Sequence, residues 1–425
     1  MNQDAFVFGL SIVGLVWYLV LWSISILGCV TARRRYRSRP ISPLSRAGAF
    51  NSPGVSILRP LKGLDTNLYE NLESTFKQEY SNYEIIFSVA DENDQALNVV
   101  HALMNRYPRV KASVIIGEEV VGVNPKVNNL MRPFRAAAND ILWVLDSGVM
   151  VDPGTLARSV DVLTGLSTRS GRKVALVHHV PLALVDEPKI GSRLEAAFLN
   201  TNHAKMYIAI NTVGIDSCVV GKSNLYRRSD IERLNGSLVP IQSQPVSTQE
   251  PVKFGLAAFG RFLAEDNMIA SALWHELGLR HDLSCDVARN VVGNMSFLDY
   301  IWRRVRWIRV RKRMVLAATV LEPFTESIML CIIGAFACRV LFAIPSSIFV
   351  VVHFAAWLCI DLDVYTSIAG RDIGKDGVFF FLLAWMAREI LAFPIWLLGI
   401  VADDVTWRGR KYTIMKNGEA RLCST

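Results

Sequence analysis

Apolar positions in this chain follow two rhythms. Between 54 and 180, short β-branched and aliphatic runs alternate with longer stretches that are apolar every third or fourth position. The short runs (54–60, 83–90, 112–116, 140–145 and 173–180) predict strands. The stretches between them (66–79, 95–106, 126–138 and 154–163) predict helices, and a further helix is expected over 264–278. Strand and helix alternating at this spacing predict βαβ units, and therefore an α/β domain built on a mostly parallel sheet. Ligands of such sheets bind at the carboxyl ends of the strands. Asp91 and Asp146 stand at two of those ends.

The second rhythm is unbroken hydrophobicity. Residues 7–30 hold no charged side chain. A helix of that length rises far enough to cross a hydrocarbon core of about 30 Å. The run is too long for a cleavable leader, and its basic cluster (Arg33, Arg34, Arg35, Arg37, Arg39) follows it. Three weaker apolar stretches (327–344, 345–360 and 378–402) predict about three C-terminal membrane helices. The first contains Arg339 and the third contains Arg388 and Glu389. Charges inside a span must pair or line a cavity. Arg388 and Glu389 point about 100° apart on a helix, so each is expected to find its partner elsewhere.

Composition agrees with a soluble domain joined to a few membrane segments. The 425 residues are 51% hydrophobic, with a mean hydropathy of +0.28. That is too apolar for a soluble enzyme and too polar for a bundle that is membrane throughout. The net charge of +8 is concentrated in two places, Arg33 to Arg39 and seven cations between Arg303 and Arg313. Basic clusters at membrane boundaries predict lipid-headgroup contacts and set orientation, which places the domain after Arg39 in the cytosol. Nucleic acid is not an expected partner, since no finger or helix-turn-helix pattern occurs. Seven cysteines without a CxxC predict free thiols. A bare Asn235-Gly-Ser and Asn294-Met-Ser would agree with a cytosolic domain. Three true C-terminal spans would put the basic tail outside, so its side stays open.

The expected organisation is an anchor over 1–32, a basic linker over 33–52 and the α/β domain over 53–299. A basic interfacial helix over 300–322, a membrane region over 323–402 and a basic tail over 403–425 follow. The stretch 238–253, rich in Pro, Ser and Gln, reads as a surface insertion. No GxGxxG or Walker A motif is present, which disfavours a dinucleotide fold or a P-loop ATPase.

Sugar transfer from a nucleotide diphosphate needs groups that hold the nucleoside, cations on the departing diphosphate and a carboxylate base. The chain offers, in order, Asp91, Asp146, Asp266 and Arg303-x-x-Arg306-Trp307. This resembles the D, D, D, (Q/R)xxRW series of family 2 glycosyltransferases with the GT-A fold. The strings RPLKG (59–63), NPKVNNL (124–130), TNHAKMY (201–207) and LAEDNMIA (263–270) narrow the resemblance to the ceramide glucosyltransferases. It covers nearly the whole chain. It implies a GT-A cytosolic domain that transfers glucose from UDP-glucose to the primary hydroxyl of ceramide, with inversion, at a Golgi or endoplasmic reticulum membrane.

Carried onto this sequence, the resemblance makes Asp266 the general base, Asp91 a nucleoside contact and Asp146 a ligand of Mg²⁺ or Mn²⁺. Arg303 and Arg306 would clamp the diphosphate, with Lys62 and Lys126 on phosphate or uridine. Trp307 and His203 would border the acceptor. Each type also has a plainer use: a strand-end Asp caps turns, Glu265 suits a helix N-terminus as well as Asp266 does, and basic and aromatic residues anchor membrane helices. His178, His179 and Cys218 fit a core as readily as a site. Two departures stand out. Ser147-Gly148 after Asp146 leaves the usual DxD pair incomplete, and the 238–253 insertion suggests a fungal-type member. Another sugar nucleotide or lipid acceptor, a polymer synthase, a dolichyl-phosphate enzyme, a transporter or an inactive scaffold are the alternatives weighed.

Overall fold

The computed structural model describes residues 3–165, 171–186, 188–244, 253–407 and 409–423. Residues 245–252 of the expected insertion lie outside the described residues. The chain divides into two units. A sheet unit comprises Ser38–Asp186, Gly214–Gly293 and Glu419–Thr425, and a helical unit comprises Met1–Arg37, Glu187–Val213 and Asn294–Gly418.

The sheet unit carries β1 (Val55–Pro60), β2 (Tyr83–Val89), β3 (Lys111–Ile116), β4 (Ile141–Leu145), β5 (Val149–Met150), β6 (Val174–Val185), β7 (Ser223–Arg227) and β8 (Arg280–Val292). They are ordered β3-β2-β1-β4-β7-β6-β8-β5. β1 to β4 run parallel, β7 lies antiparallel between β4 and β6, and β6 pairs parallel with β8. β1 and β4 are buried at every position, as strands covered on both faces must be. Val55, Ile57, Phe87, Trp143 and Leu145 meet Leu72, Val100 and Val160 of the covering helices in one core.

Three strands, β5, β7 and β8, were not expected. β8 reads as polar (RHDLSCDVARNVV), yet Asp286 within it is fully buried. Arg158 neutralises that carboxylate with two hydrogen bonds of 2.7 Å, and Arg39 stands 3.6 Å away. A charge paired inside the fold hides a strand from a reading based on alternation. Arg39 also forms an ion pair with Asp152. The linker arginine expected at lipid headgroups thus binds carboxylates of its own unit.

In the helical unit, Gln3–Tyr36, Ser346–Ala369 and Gly377–Val401 are long and apolar enough to cross a bilayer. The protein is a membrane protein. The first of the three expected C-terminal spans is shorter than predicted. It is a 16-residue helix, Ser327–Phe342, set at 65° to Leu316–Thr325, and only that bent pair brings the count to four. Pro323 opens the 3-10 turn that precedes the break.

Helices Ile190–Phe198 and Ala204–Val213, joined by the π turn Leu199–His203, belong to this unit. A Cβ at Gly28 would lie 2.3 Å from the Lys205 carbonyl, so glycine permits the close approach of these helices. Lys205 Nζ lies 2.7 Å from Asp361 Oδ1, with both side chains fully buried. Trp385 Nε1 donates to the other Asp361 oxygen, and the Lys205 ammonium sits 3.7 Å over the Trp357 ring. Arg33 and Arg37 hold Asp363, two residues further along the same helix.

Arg388 bonds Glu326 at 2.5 Å and its own neighbour Glu389 at 2.5 Å. The expectation that adjacent residues would need separate partners fails for Glu389, because the arginine stem is long enough to curl back. The expected basic tail folds as a hairpin of Asp404–Trp407 and Arg410–Ile414. Lys312 anchors it through the Ile400 and Ala402 carbonyls and Asp403.

Candidate active site

The carboxyl ends of neighbouring parallel strands supply one edge of the sheet unit. Lys62 follows β1, Asp91 follows β2 and Asp146 follows β4. Asp91 is exposed, and its Oδ1 accepts from the Asn93 amide at 2.9 Å, a turn of the kind a strand-end Asp makes. Asp94 accepts from the backbone N–H of Gly63 and Ala96, so it fixes the loop that presents Lys62.

Asp146 is the centre of a charged cluster. Lys126 Nζ lies 2.7 Å from Asp146 Oδ1 and 2.9 Å from Glu265 Oε1. Lys222 Nζ lies 3.4 Å from Asp146 Oδ2. Burial alone would raise the Asp146 carboxyl, but Lys126 and Lys222 prevail and hold it below the usual carboxylate range. Asp266 is pushed up to about 7, chiefly by burial and then by the charge of Glu265, with Lys126 opposing. Its Oδ1 accepts from the Asn267 amide at 2.7 Å. A Cβ at residue 221 would stand 1.2 Å from Asp266 Oδ2, so only Gly221 leaves that carboxylate its place.

Local chemistry explains why the sequence folds this way. Asn124 caps the helix Pro125–Ala136, its Oδ1 accepting from Lys126 and Val127 and Pro125 following at the first helical position. Its Nδ2 donates to Glu265 Oε2 at 2.8 Å, which ties NPKVNNL to the AED helix Glu265–His275. Asn129 donates to the carbonyls of Leu61 and Ser88, at the ends of β1 and β2. Arg59, fully buried, donates to the Ser147 and Val149 carbonyls and so frames the loop that carries Asp146. Burial lowers that guanidinium to about 9, with Asp146 opposing the shift.

The helical unit holds the rest of the series. In the helix Phe297–Met314, Arg303 Nε donates to the fully buried Glu195 at 2.8 Å. The guanidinium of Arg303 lies 5.5 Å over the Trp307 ring and that of Arg304 lies 4.9 Å over it. Burial, then the charge of Arg303, lowers Arg306 to about 10. His203 stacks on Tyr207 at 5.6 Å, with Trp307 at 6.2 Å. Burial and the charges of Arg304, Arg311 and Arg388 bring its pKa to about 3, which keeps the ring neutral.

The model for Glycosyl transferase family 21 matches residues 16–240 and 254–420. The chain belongs to this family. A ceramide glucosyltransferase of Komagataella phaffii is 36% identical, over 95% of this chain and 90% of that protein. One from Candida albicans is 31% identical over 95% and 96%. Ceramide glucosyltransferase 1 of Caenorhabditis elegans is 29% identical over 87% and 73%. The motif series resembles that of family 2, and the family whose model matches is 21.

Within this family 21 chain, the structure brings Lys126, Asp146 and Asp266 into one cluster and sets Lys62 and Asp91 on the same sheet edge. Arg303, Trp307 and His203 form a second group in the helical unit. Sequence reasoning missed Lys222, Glu265 as the partner of Lys126, Asn124, Arg59 and Gly221. Arg59 and Asn124 stand within RPLKG and NPKVNNL, and an Asn before Pro at a helix start is a readable cap. His179 is a core residue, bonded to Ser159 and Ser223. His178 packs edge-on against His281, whose Nε2 accepts from the Cys218 amide.

A divalent metal, implied by the resemblance, finds few ligands here. Among the described residues no group of three or more His, Cys, Asp or Glu is placed to hold one. Both oxygens of Asp146, the expected ligand, face ammonium groups. The residues present do not make a metal site by themselves.

Proposed function

We propose that this protein transfers glucose from UDP-glucose to the primary hydroxyl of ceramide, with inversion, giving glucosylceramide on the cytosolic face of a Golgi or endoplasmic reticulum membrane. The observation that carries the reading is the Asp266 carboxylate, seated in the space that Gly221 leaves open and held beside the Lys126–Glu265 pair, where burial and the charge of Glu265 raise its proton affinity. A base that titrates near the working pH is suited to take a hydroxyl proton. The names of the relatives support the sugar and the acceptor.

In this scheme the ceramide hydroxyl oxygen attacks the anomeric carbon from the face opposite the diphosphate. Its proton passes to Asp266. The bond from that carbon to the diphosphate oxygen breaks, and UDP leaves with the electron pair. A single displacement inverts the configuration. Lys126 and Lys222 set positive charge where the diphosphate gathers negative charge. Asp91 contacts uridine, Lys62 reaches phosphate or uridine, and Arg303 and Arg306 clamp the diphosphate. Trp307 and the neutral His203 wall the acceptor. A divalent cation would have Asp146 as its protein ligand and would share in neutralising the diphosphate.

The test is a panel of radiolabelled UDP-sugars against ceramide, diacylglycerol and sterol, using full-length protein in nanodiscs. The expected product is glucosylceramide from UDP-glucose and ceramide. Transfer to another acceptor, or from another sugar, with none to ceramide would overturn the reading. Sugar on Asn235 or Asn294 after expression in cells would overturn the orientation.

A further inference from the structure

The helical unit contains a cleft that the scheme above leaves unused. It is small, with a volume of about 20 Å³, which is room for a single carbonyl or hydroxyl group. Arg304, Arg388, Glu322 and Glu326 supply its charged wall, and Ile395 and Trp396 its apolar one. Ile395 and Trp396 come from a helix long and apolar enough to span a bilayer.

The charges on the wall differ in how they are satisfied. Arg388 is bonded to Glu326 and Glu389, and Glu322 is ion-paired with Arg311. Arg304 is 6% exposed. Its guanidinium carbon lies 3.4 Å over the Phe198 ring, and its Nη1 is buried with no hydrogen-bond partner. Buried N–H groups of a cation are rarely left so, because the lost water must be replaced. One donor therefore awaits an oxygen, next to two carboxylates able to accept from a hydroxyl.

We propose that this cleft takes the polar head of an uncharged amide lipid, with Arg304 Nη1 donating to the amide carbonyl oxygen. The lipid is the acceptor of the transfer, so the proposal rests on the function given above. Charge selects the class. Arg304 and Arg388 balance Glu322 and Glu326 around the cleft, so a phosphate would bring uncompensated negative charge, whereas an uncharged head that offers a carbonyl and hydroxyl groups leaves the balance intact. The chains of such a lipid pass along Ile395 and Trp396.

Two variants test this in full-length protein reconstituted in phosphatidylcholine nanodiscs. Arg304→Gln removes the cation, and Ala392→Phe fills the cleft from the helix that carries Arg388. Each is expected to raise KM for a short-chain ceramide at least tenfold while KM for UDP-glucose stays within twofold. In wild-type protein, a ceramide carrying a diazirine beside its amide is expected to label peptides from 300–308 or 388–396. Label confined to other peptides overturns the proposal, whether or not a variant folds. So does an unchanged ceramide KM in folded variants, or a defect that appears only in nanodiscs of anionic lipid, which would mark a phosphate site. Wild-type protein that transfers no glucose to ceramide but labels as expected would instead fault the function and leave the cleft assignment standing.

Discussion

Asp266 Oδ2 occupies the space that any side chain on residue 221 would need, since a Cβ there would lie 1.2 Å from it. Gly221→Ala must therefore displace the carboxylate. A shift of about 1 Å at a reacting group costs on the order of 10²-fold. We expect kcat to fall by about that factor while UDP-glucose binding persists, read by steady-state kinetics and calorimetry. A wild-type kcat in a folded variant would remove Asp266 from the chemistry.

The raised proton affinity of Asp266 sets a pH dependence. The base must be ionised, so kcat/KM should rise about tenfold per pH unit below 7 and level off above it. Lys126 opposes the rise in pKa, so Lys126→Met should move the profile to higher pH and lower kcat by about 10²-fold or more. Stability follows the same group. The folded pKa exceeds the unfolded value of about 3.9, so the folded state binds the proton more tightly. Stability is lost as pH rises between about 4 and 7. The gain in Tm from Asp266→Asn should therefore be larger at pH 8 than at pH 5, and equal gains would refute the shift.

Because no group of three or more His, Cys, Asp or Glu among the described residues is placed to hold a metal, Mn²⁺ should bind well only when UDP-glucose supplies further oxygens. Electron paramagnetic resonance of Mn²⁺ is expected to show weak binding to the protein alone and tight binding with donor present. Tight binding without nucleotide would reveal ligands other than those described.

Lys205 and Asp361 are both fully buried, so breaking the pair leaves an uncompensated charge. Lys205→Met or Asp361→Leu should each cost about 3–5 kcal/mol, and the double variant should recover most of it. Thermal unfolding in detergent gives the cycle. Additive losses would show that the two groups act independently.

The sheet was legible where burial on both faces made continuous apolar runs, as in β1, β2 and β4. It was not legible in β8, where Asp286 reads as a surface residue until Arg158 is placed beside it. The same blindness shortened a membrane helix. The apolar run ends at 360 because Asp361 and Asp363 follow, yet the helix continues to Ala369 once Lys205, Arg33 and Arg37 neutralise them. For the candidate site, motif letters gave the acids, but the bridge from Lys126 to two carboxylates and the vacancy at Gly221 are three-dimensional facts. No local pattern announces that residue 222 meets residue 146.

The buried lysine also imposes an order on biogenesis. Lys205 leaves the ribosome 156 residues before Asp361. The acidic helix thus enters the bilayer after its counter-ions have been made, and a nascent chain halted short of residue 361 strands a naked ammonium among the helices.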